Sequence, residues 1–206
     1  MKQNGSGIND KESCEKLKLF DEIPYLSDER IELKRLVISD ALKLKELTDN
    51  ENVYRYLPTF LFEKQFDDPG EAIEKLYEEL FRNRESLILG IFLREGEGGG
   101  GSDTDNRGTF CGLAEYYGFK DELHKTCLGY RLSESFWGRG IASGTVKLMI
   151  DYLYFRTDTE IITASTMVEN KASERVLTKN GFIMTSRAVE EDWGYEKPTI
   201  TDKWFR

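Results

Sequence analysis

The chain has 206 residues and a mass of 23.8 kDa, a length that favours one domain. Lys plus Arg number 29 against 38 Asp plus Glu, a net charge of −9, which argues against a general binder of nucleic-acid phosphates. Cys14, Cys111 and Cys127 are few, odd in number and widely spaced, so no disulfide framework is indicated. The single His124 excludes His-rich metal sites and an HExxH zinc motif.

The opening MKQNGSGINDKES lacks the apolar h-region of a signal peptide, and no run approaches 18 uncharged apolar residues. These features set the expectations of a reduced, cytoplasmic setting, no membrane partner and no metal. Residues 1–25 read as a polar N-terminal extension, ordered at most near Leu17–Phe20, and residues 26–206 as one domain. Ile31–Leu36 alternates apolar and charged residues and predicts a strand. Ser39 or Asp40 can cap a helix carrying Ala41, Leu44 and Leu47. Asp68-Pro69-Gly70-Glu71 starts the next helix, with Asp68 as N-cap and Pro69 at N1.

Ser86–Arg94 and Thr109–Phe119 read as strands, joined by a Gly/Asp-rich hairpin loop at 95–108. Thr126–Leu132 supplies a third strand of this group. Gly138-Arg139-Gly140 opens a helix with Ile141, Thr145, Leu148, Tyr152 and Phe155 along one face, a face that reads as core. Then come a strand (Glu160–Thr166), a helix (Asn170–Lys179) stopped by Asn180-Gly181, a strand (Phe182–Val189) and a last strand within 196–205, weakened by Pro198. The order is that of an α/β (α+β) domain, largely antiparallel in its first half and βαβα in its second.

Two stretches carry chemistry. Phe136-Trp137-Gly138-Arg139-Gly140-Ile141-Ala142-Ser143-Gly144 follows a strand and opens a helix. The first N–H groups of a helix lack internal partners and carry positive partial charge, so phosphate is their natural ligand, and Arg139 can add a charge-assisted bond. A Rossmann fingerprint fails here because Ser143 stands at the third glycine and the next strand ends in Ser165-Thr166 rather than an acid. No Walker A loop is present. The second stretch runs from Asn170 to Phe182 as N-x-x-S-x-x-V-L-x-K-x-G-F.

In this order and spacing the two stretches resemble the GNAT superfamily of acyl-CoA N-acyltransferases, and within it the branch of ribosomal-protein N-terminal acetyltransferases (RimJ/RimL-type). The superfamily's [QR]-x-x-G-x-[GA] loop corresponds to Trp137–Ala142, with Trp in place of Gln or Arg, and an aromatic-Trp-Gly segment is a feature of that branch. The resemblance implies a single GNAT-like domain with a mixed sheet of about seven strands, helices on both faces, and a central splay that takes coenzyme A. Acetyl-CoA is then the co-substrate. Gly138, Arg139, Gly140, Ile141, Ala142, Ser143 and Gly144 hold its pyrophosphate. The backbone of Tyr130, Arg131 and Leu132 pairs with the pantetheine arm and polarises the thioester carbonyl, and Asn170 and Ser173 complete the site.

The catalytic groups are less defined. Many relatives use a tyrosine of the second motif to protonate the departing thiolate, but Leu177 stands at that position, leaving Ser173 as the nearest polar replacement. Glu115, mid-strand among apolar and aromatic residues, is the first candidate for the base that takes the amine proton; strand alternation could equally turn it to solvent. His124 lies in a polar turn, and Glu190, Glu191 and Asp192 could draw a cationic acceptor or form a solvated loop. Tyr54–Phe66 is expected to line the acceptor site. The acceptor stays open among protein N-termini and small-molecule amines, the assembly between monomer and homodimer. A non-catalytic coenzyme A-binding or regulatory module is the alternative function.

Overall fold

The computed structural model describes residues 16–94 and 107–206; residues 1–15, and the expected loop up to residue 106, lie outside them. The described residues form β1 (Leu26–Ser27), β2 (Ile31–Lys34), α1 (Ala41–Thr48), α2 (Glu51–Tyr54), α3 (Pro69–Lys75, continued by a π-helical turn at Leu76–Phe81), β3 (Ser86–Leu93) and β4 (Thr109–Lys120). After these come β5 (Lys125–Leu132), α4 (Ile141–Arg156), β6 (Ile161–Met167), α5 (Lys171–Lys179), β7 (Ile183–Glu191) and β8 (Thr199–Phe205). The eight strands make one sheet in the order β1-β2-β3-β4-β5-β6-β8-β7. The pairing of β5 with β6 is parallel and the rest are antiparallel. The mixed sheet therefore has one strand more than the seven read from periodicity. The addition is β1, whose two residues are too few to show alternation.

Two apolar cores sit on opposite faces of this sheet, which explains why β3 is buried along its whole length. Leu87, Leu89, Ile91 and Leu93 join the core under α4 and α5, whereas Ile88 and Phe92 join the core under α1, α2 and α3. Period-two alternation thus places one apolar set on each face. Asp68 caps α3 by accepting from the Gly70 N–H at 2.8 Å, with Pro69 in the first turn.

Three expectations are corrected. The core reaches back beyond residue 26: Leu17 bridges to Thr157, and Leu19 is fully buried with Phe20 beside it, so apolar packing recruits part of the nominal extension. Phe155 is 76% exposed, and the buried face of α4 runs instead through Val146, Met149, Ile150, Tyr152 and Leu153. Pro198 precedes β8, so its missing N–H costs no ladder bond. β8 then takes an interior place between β6 and β7.

Candidate active site

The parallel pair among the described strands comes apart halfway. Lys125, Thr126 and Cys127 pair with Ile161, Ile162 and Thr163. Beyond them β5 stays with β4 as far as Leu132, while β6 follows β8 as far as Met167. Local contacts hold the two strands on their diverging courses. A bulge at Cys111 bends β4, and Gly112 lets β4 approach β5 so closely that a Cβ there would lie 2.1 Å from the Arg131 carbonyl oxygen. The indole Nε1 of Trp137 donates to the Leu132 carbonyl at 2.9 Å and ties down the end of β5. The Leu132 carbonyl thus already accepts one bond from the protein. The gap between the strands opens into a cavity of about 1130 Å³.

One side of this cavity is the start of α4. Gly138 and Gly140 adopt φ of +72° and +79°, where a side chain is strained, and Gly140 caps the helix without a side-chain bond. The N–H groups of Ile141, Ala142 and Ser143 belong to the first turn, which has no carbonyl of its own to offer them, and all three residues line the cavity. Two residues expected here are placed differently. The Gly144 N–H donates to the Gly140 carbonyl at 3.1 Å, closing the first helical turn, and its missing side chain serves packing, since a Cβ would lie 2.7 Å from Ile31 Cδ1. Arg139 is exposed, with its guanidinium stacked 5.5 Å from the Phe136 ring centroid rather than lining the cavity.

Cations on this side come instead from Arg175 and Lys179 of α5, which the sequence reading missed. Their signal was the spacing of Lys171, Arg175 and Lys179 four apart, one stripe of a helix. Asn170 caps α5 by accepting from the Ser173 N–H at 3.1 Å, and Asn180 donates to Ser143 Oγ at 3.2 Å, bracing α5 against the start of α4.

Ser173 and Tyr130 meet across the gap, with their hydroxyl oxygens 3.0 Å apart. Burial pushes the Tyr130 hydroxyl up to about 12, against the opposing effect of its bond to Ser173. Leu177 also reaches the cavity but offers no polar group.

Glu115 lines the cavity and is largely buried, so alternation did not send it to solvent. Both of its oxygens are occupied: Ser86 Oγ donates to Oε1 at 2.6 Å and Arg131 Nη1 to Oε2 at 2.9 Å. Arg131 Nε also lies 2.6 Å from Glu63 Oε1, which accepts from Tyr54 Oη at 2.7 Å. The side chain of Arg131 is thus committed to this network, and its expected ligand contact rests on backbone alone. Tyr117 completes this wall; burial, then its neighbours Cys127 and Glu115, hold its hydroxyl far above the ordinary tyrosine value.

A second set of lining residues comes from the segment after α2, among them Tyr56, Leu57, Phe60 and Phe62. This segment is strapped to the β7–β8 loop by Thr59 N–H on the Trp193 carbonyl and by Tyr195 Oη on the Leu57 carbonyl. Glu191 and Asp192 enter the lining from the same loop region. Burial opposes the charge of Glu191, but bonds from Lys203, Thr201 and Trp193 hold its carboxyl below the ordinary glutamate value. Glu190 does not line the cavity, and His124 lies outside it, 3.4 Å from Asp158. Among the described residues no group of three or more His, Cys, Asp or Glu is placed to hold a metal ion.

The arrangement offers amide donors and cations for phosphate, an open strand edge for an extended chain, and paired hydroxyls and a carboxylate beside it. Comparison with known proteins agrees with this chemistry. Residues 30–183 match the family model described as an acetyltransferase (GNAT) domain. The chain is 27% identical over 159 residues to the uncharacterized N-acetyltransferase p20 of Bacillus licheniformis, covering 76% of this chain and 81% of that relative. The fold is shared with RimL, a ribosomal L7/L12 alpha-N-protein acetyltransferase solved with coenzyme A (TM-score 0.70, 16% identity, 89% of this chain and 97% of that one). It is also shared with the spermidine N-acetyltransferase of Vibrio cholerae solved with coenzyme A and spermine (TM-score 0.67, 16% identity, 87% and 96%). No helix among the described residues is long and apolar enough to cross a membrane. The match over most of its length shows that the chain belongs to the acetyltransferase (GNAT) domain family and is an acyl-CoA-dependent N-acetyltransferase.

Proposed function

We propose that the cavity between β5 and β6 binds acetyl-CoA and a primary amine together and transfers the acetyl group directly between them. The observation that carries this reading is the continuity of three features in one cavity: the free amides of α4, the unpaired edge of β5, and the carboxylate of Glu115. Pyrophosphate fits the Ile141, Ala142 and Ser143 amides, with Arg175 and Lys179 adding charge. The pantetheine arm extends along Leu128–Arg131 as an added strand would, and the Asn170 side-chain amide bonds to it. A backbone N–H of this edge, at Tyr130 or Arg131, polarises the thioester carbonyl.

In the reaction the amine nitrogen forms a bond to the carbonyl carbon and the carbon–sulfur bond breaks. Glu115 draws in the ammonium form of the acceptor and takes its proton, directly or through water. The departing thiolate takes a proton from Ser173, and the second proton, which the amine nitrogen sheds as the amide forms, returns through Tyr130 to restore the hydroxyl pair. The products are an amide and free coenzyme A. The acceptor is a protein N-terminus or a small-molecule amine; the solved relatives named above act on one of each kind. A reducing, cytoplasmic compartment suits this chemistry and the free Cys111 and Cys127.

The test is incubation with acetyl-CoA and a panel of primary amines and serine-initiated peptides, read by thiol release, alongside calorimetry with coenzyme A. Binding with amine-dependent thiol release is the expected result. Binding with no release on any acceptor would favour the non-catalytic module, and absence of binding would refute the site.

A further inference from the structure

The reaction as described makes no use of the second carboxylate on Arg131. Glu63 lies in a short 3₁₀ turn, Phe62–Lys64, with a side chain wholly enclosed and outside the cavity lining. The Arg131 side chain is 3% exposed, and its guanidinium is shared between Glu63 and Glu115. Three buried charges are a poor way to gain stability, because desolvation cancels much of the attraction. Their sum is informative instead. One guanidinium and two carboxylates leave one negative charge, and Glu115 is the carboxylate of the three that faces the cavity. With Arg131 and no Glu63, the cavity would meet a neutral pair.

We infer that Glu63 is a positioning residue that acts through Arg131: by absorbing half of the guanidinium's pairing it returns the charge of Glu115 to the cavity, and so selects an acceptor that arrives as an ammonium ion. The inference rests on the acetyl-transfer reading above. The groups around Glu115 support it. Ser86 of β3 is neutral, and Tyr117 on β4 and Tyr54 of α2 are kept neutral by burial. Arg131 of β5 is the cation paired with Glu115, and Glu191, beyond Tyr117, is itself balanced by Lys203, so it leaves that count unchanged.

Charge balance makes an unusual prediction, that a second mutation repairs the first. Glu63→Gln should raise the KM of the panel's best amine about tenfold by neutralising the cavity wall, with the KM of acetyl-CoA unchanged. Glu63→Gln combined with Arg131→Gln restores one net negative charge and should bring the amine KM back to within about threefold of wild type. A purely architectural network predicts the reverse, with the double variant the worse of the two, and that result would overturn the proposal. Calorimetry with the panel's best amine and coenzyme A tests the same idea without turnover. Amine affinity should fall about tenfold in Glu63→Gln and return in the double variant; an affinity unmoved by Glu63→Gln refutes the inference even where no amine is turned over. Should Glu63→Gln alone not fold, the folded double variant decides: a wild-type amine KM and affinity support the charge account, and loss of either refutes it.

Discussion

At the residue scale the site depends on positions whose roles separate cleanly by physical cause. Gly140 has a positive φ, but a Cβ there meets nothing within 4 Å. Gly140→Ala therefore pays only for backbone conformation, about 1–2 kcal/mol, and calorimetry should show coenzyme A binding weakened but present. Gly140→Glu adds a carboxylate beside the expected phosphate site, and binding should vanish. Ser173 and Tyr130 form a hydroxyl pair, proposed above to replace the tyrosine absent at Leu177. Ser173→Ala should lower kcat roughly 10- to 100-fold with a smaller change in the KM of acetyl-CoA, and Tyr130→Phe should lower it less. Because burial raises the Tyr130 hydroxyl to about 12, that proton donor stays protonated across the working range. The alkaline limb of the kcat profile should then be unaltered by Tyr130→Phe below pH 10.

At the element scale the site is a consequence of where strands stop pairing. β4 and β5 are drawn together at Gly112 and β6 is drawn away by β8, so the gap is built from pairing choices rather than from a break in any strand. Gly112→Ala places a methyl group against the Arg131 carbonyl oxygen. It should cost about 3 kcal/mol of stability, read as a lower denaturation midpoint, and should loosen coenzyme A binding by moving the edge of β5. Most of these elements were legible in the sequence, because seven strands and the α4 and α5 helices carry clear periodicity or capping residues. The gap itself was not legible from alternation, since Leu128–Leu132 and Ala164–Met167 read like any paired strands; only the two motifs pointed to it, through family resemblance. Arg139 sits in the glycine loop but lies over the neighbouring Phe136 ring, and the cations lining the cavity, Arg175 and Lys179, belong to α5, whose place beside the loop no spacing within it reveals.

At the scale of the whole molecule the two faces of the sheet carry separate cores, and polar groups buried between them make stability depend on pH at both extremes. Burial holds the hydroxyls of Tyr54, Tyr77, Tyr116, Tyr117, Tyr130 and Tyr152 above the ordinary value of 10. Above pH 10 the unfolded chain loses these protons while the folded chain keeps them, so the stability they support is complete below pH 10 and falls as pH rises through the folded values. Glu32 and Glu191 are held below the ordinary 4.5 by their partners, against the opposing effect of burial. Their contribution is present above 4.5 and is lost as pH drops through the folded values. Thermal melts should therefore show Tm falling steeply above pH 10 and more gently below about 4.5; a Tm flat between pH 10 and 12 would contradict the tyrosine burial.

The sequence by itself determined the class of fold and pointed to the start of α4 as a place for phosphate, because both rest on local properties: apolar period, helix capping and closely spaced glycines. It also set the expectation that an acidic chain carries a locally positive pocket for an anionic co-substrate. What only the tertiary structure decided was which charges face that pocket. Leu19 joins the core, Arg131 is shared between Glu63 and Glu115, and Tyr130 meets Ser173 from 43 residues away. Each of these is a pairing across strands or helices distant in the chain. Electrostatic environment is set by such neighbours in space, on which linear spacing is silent.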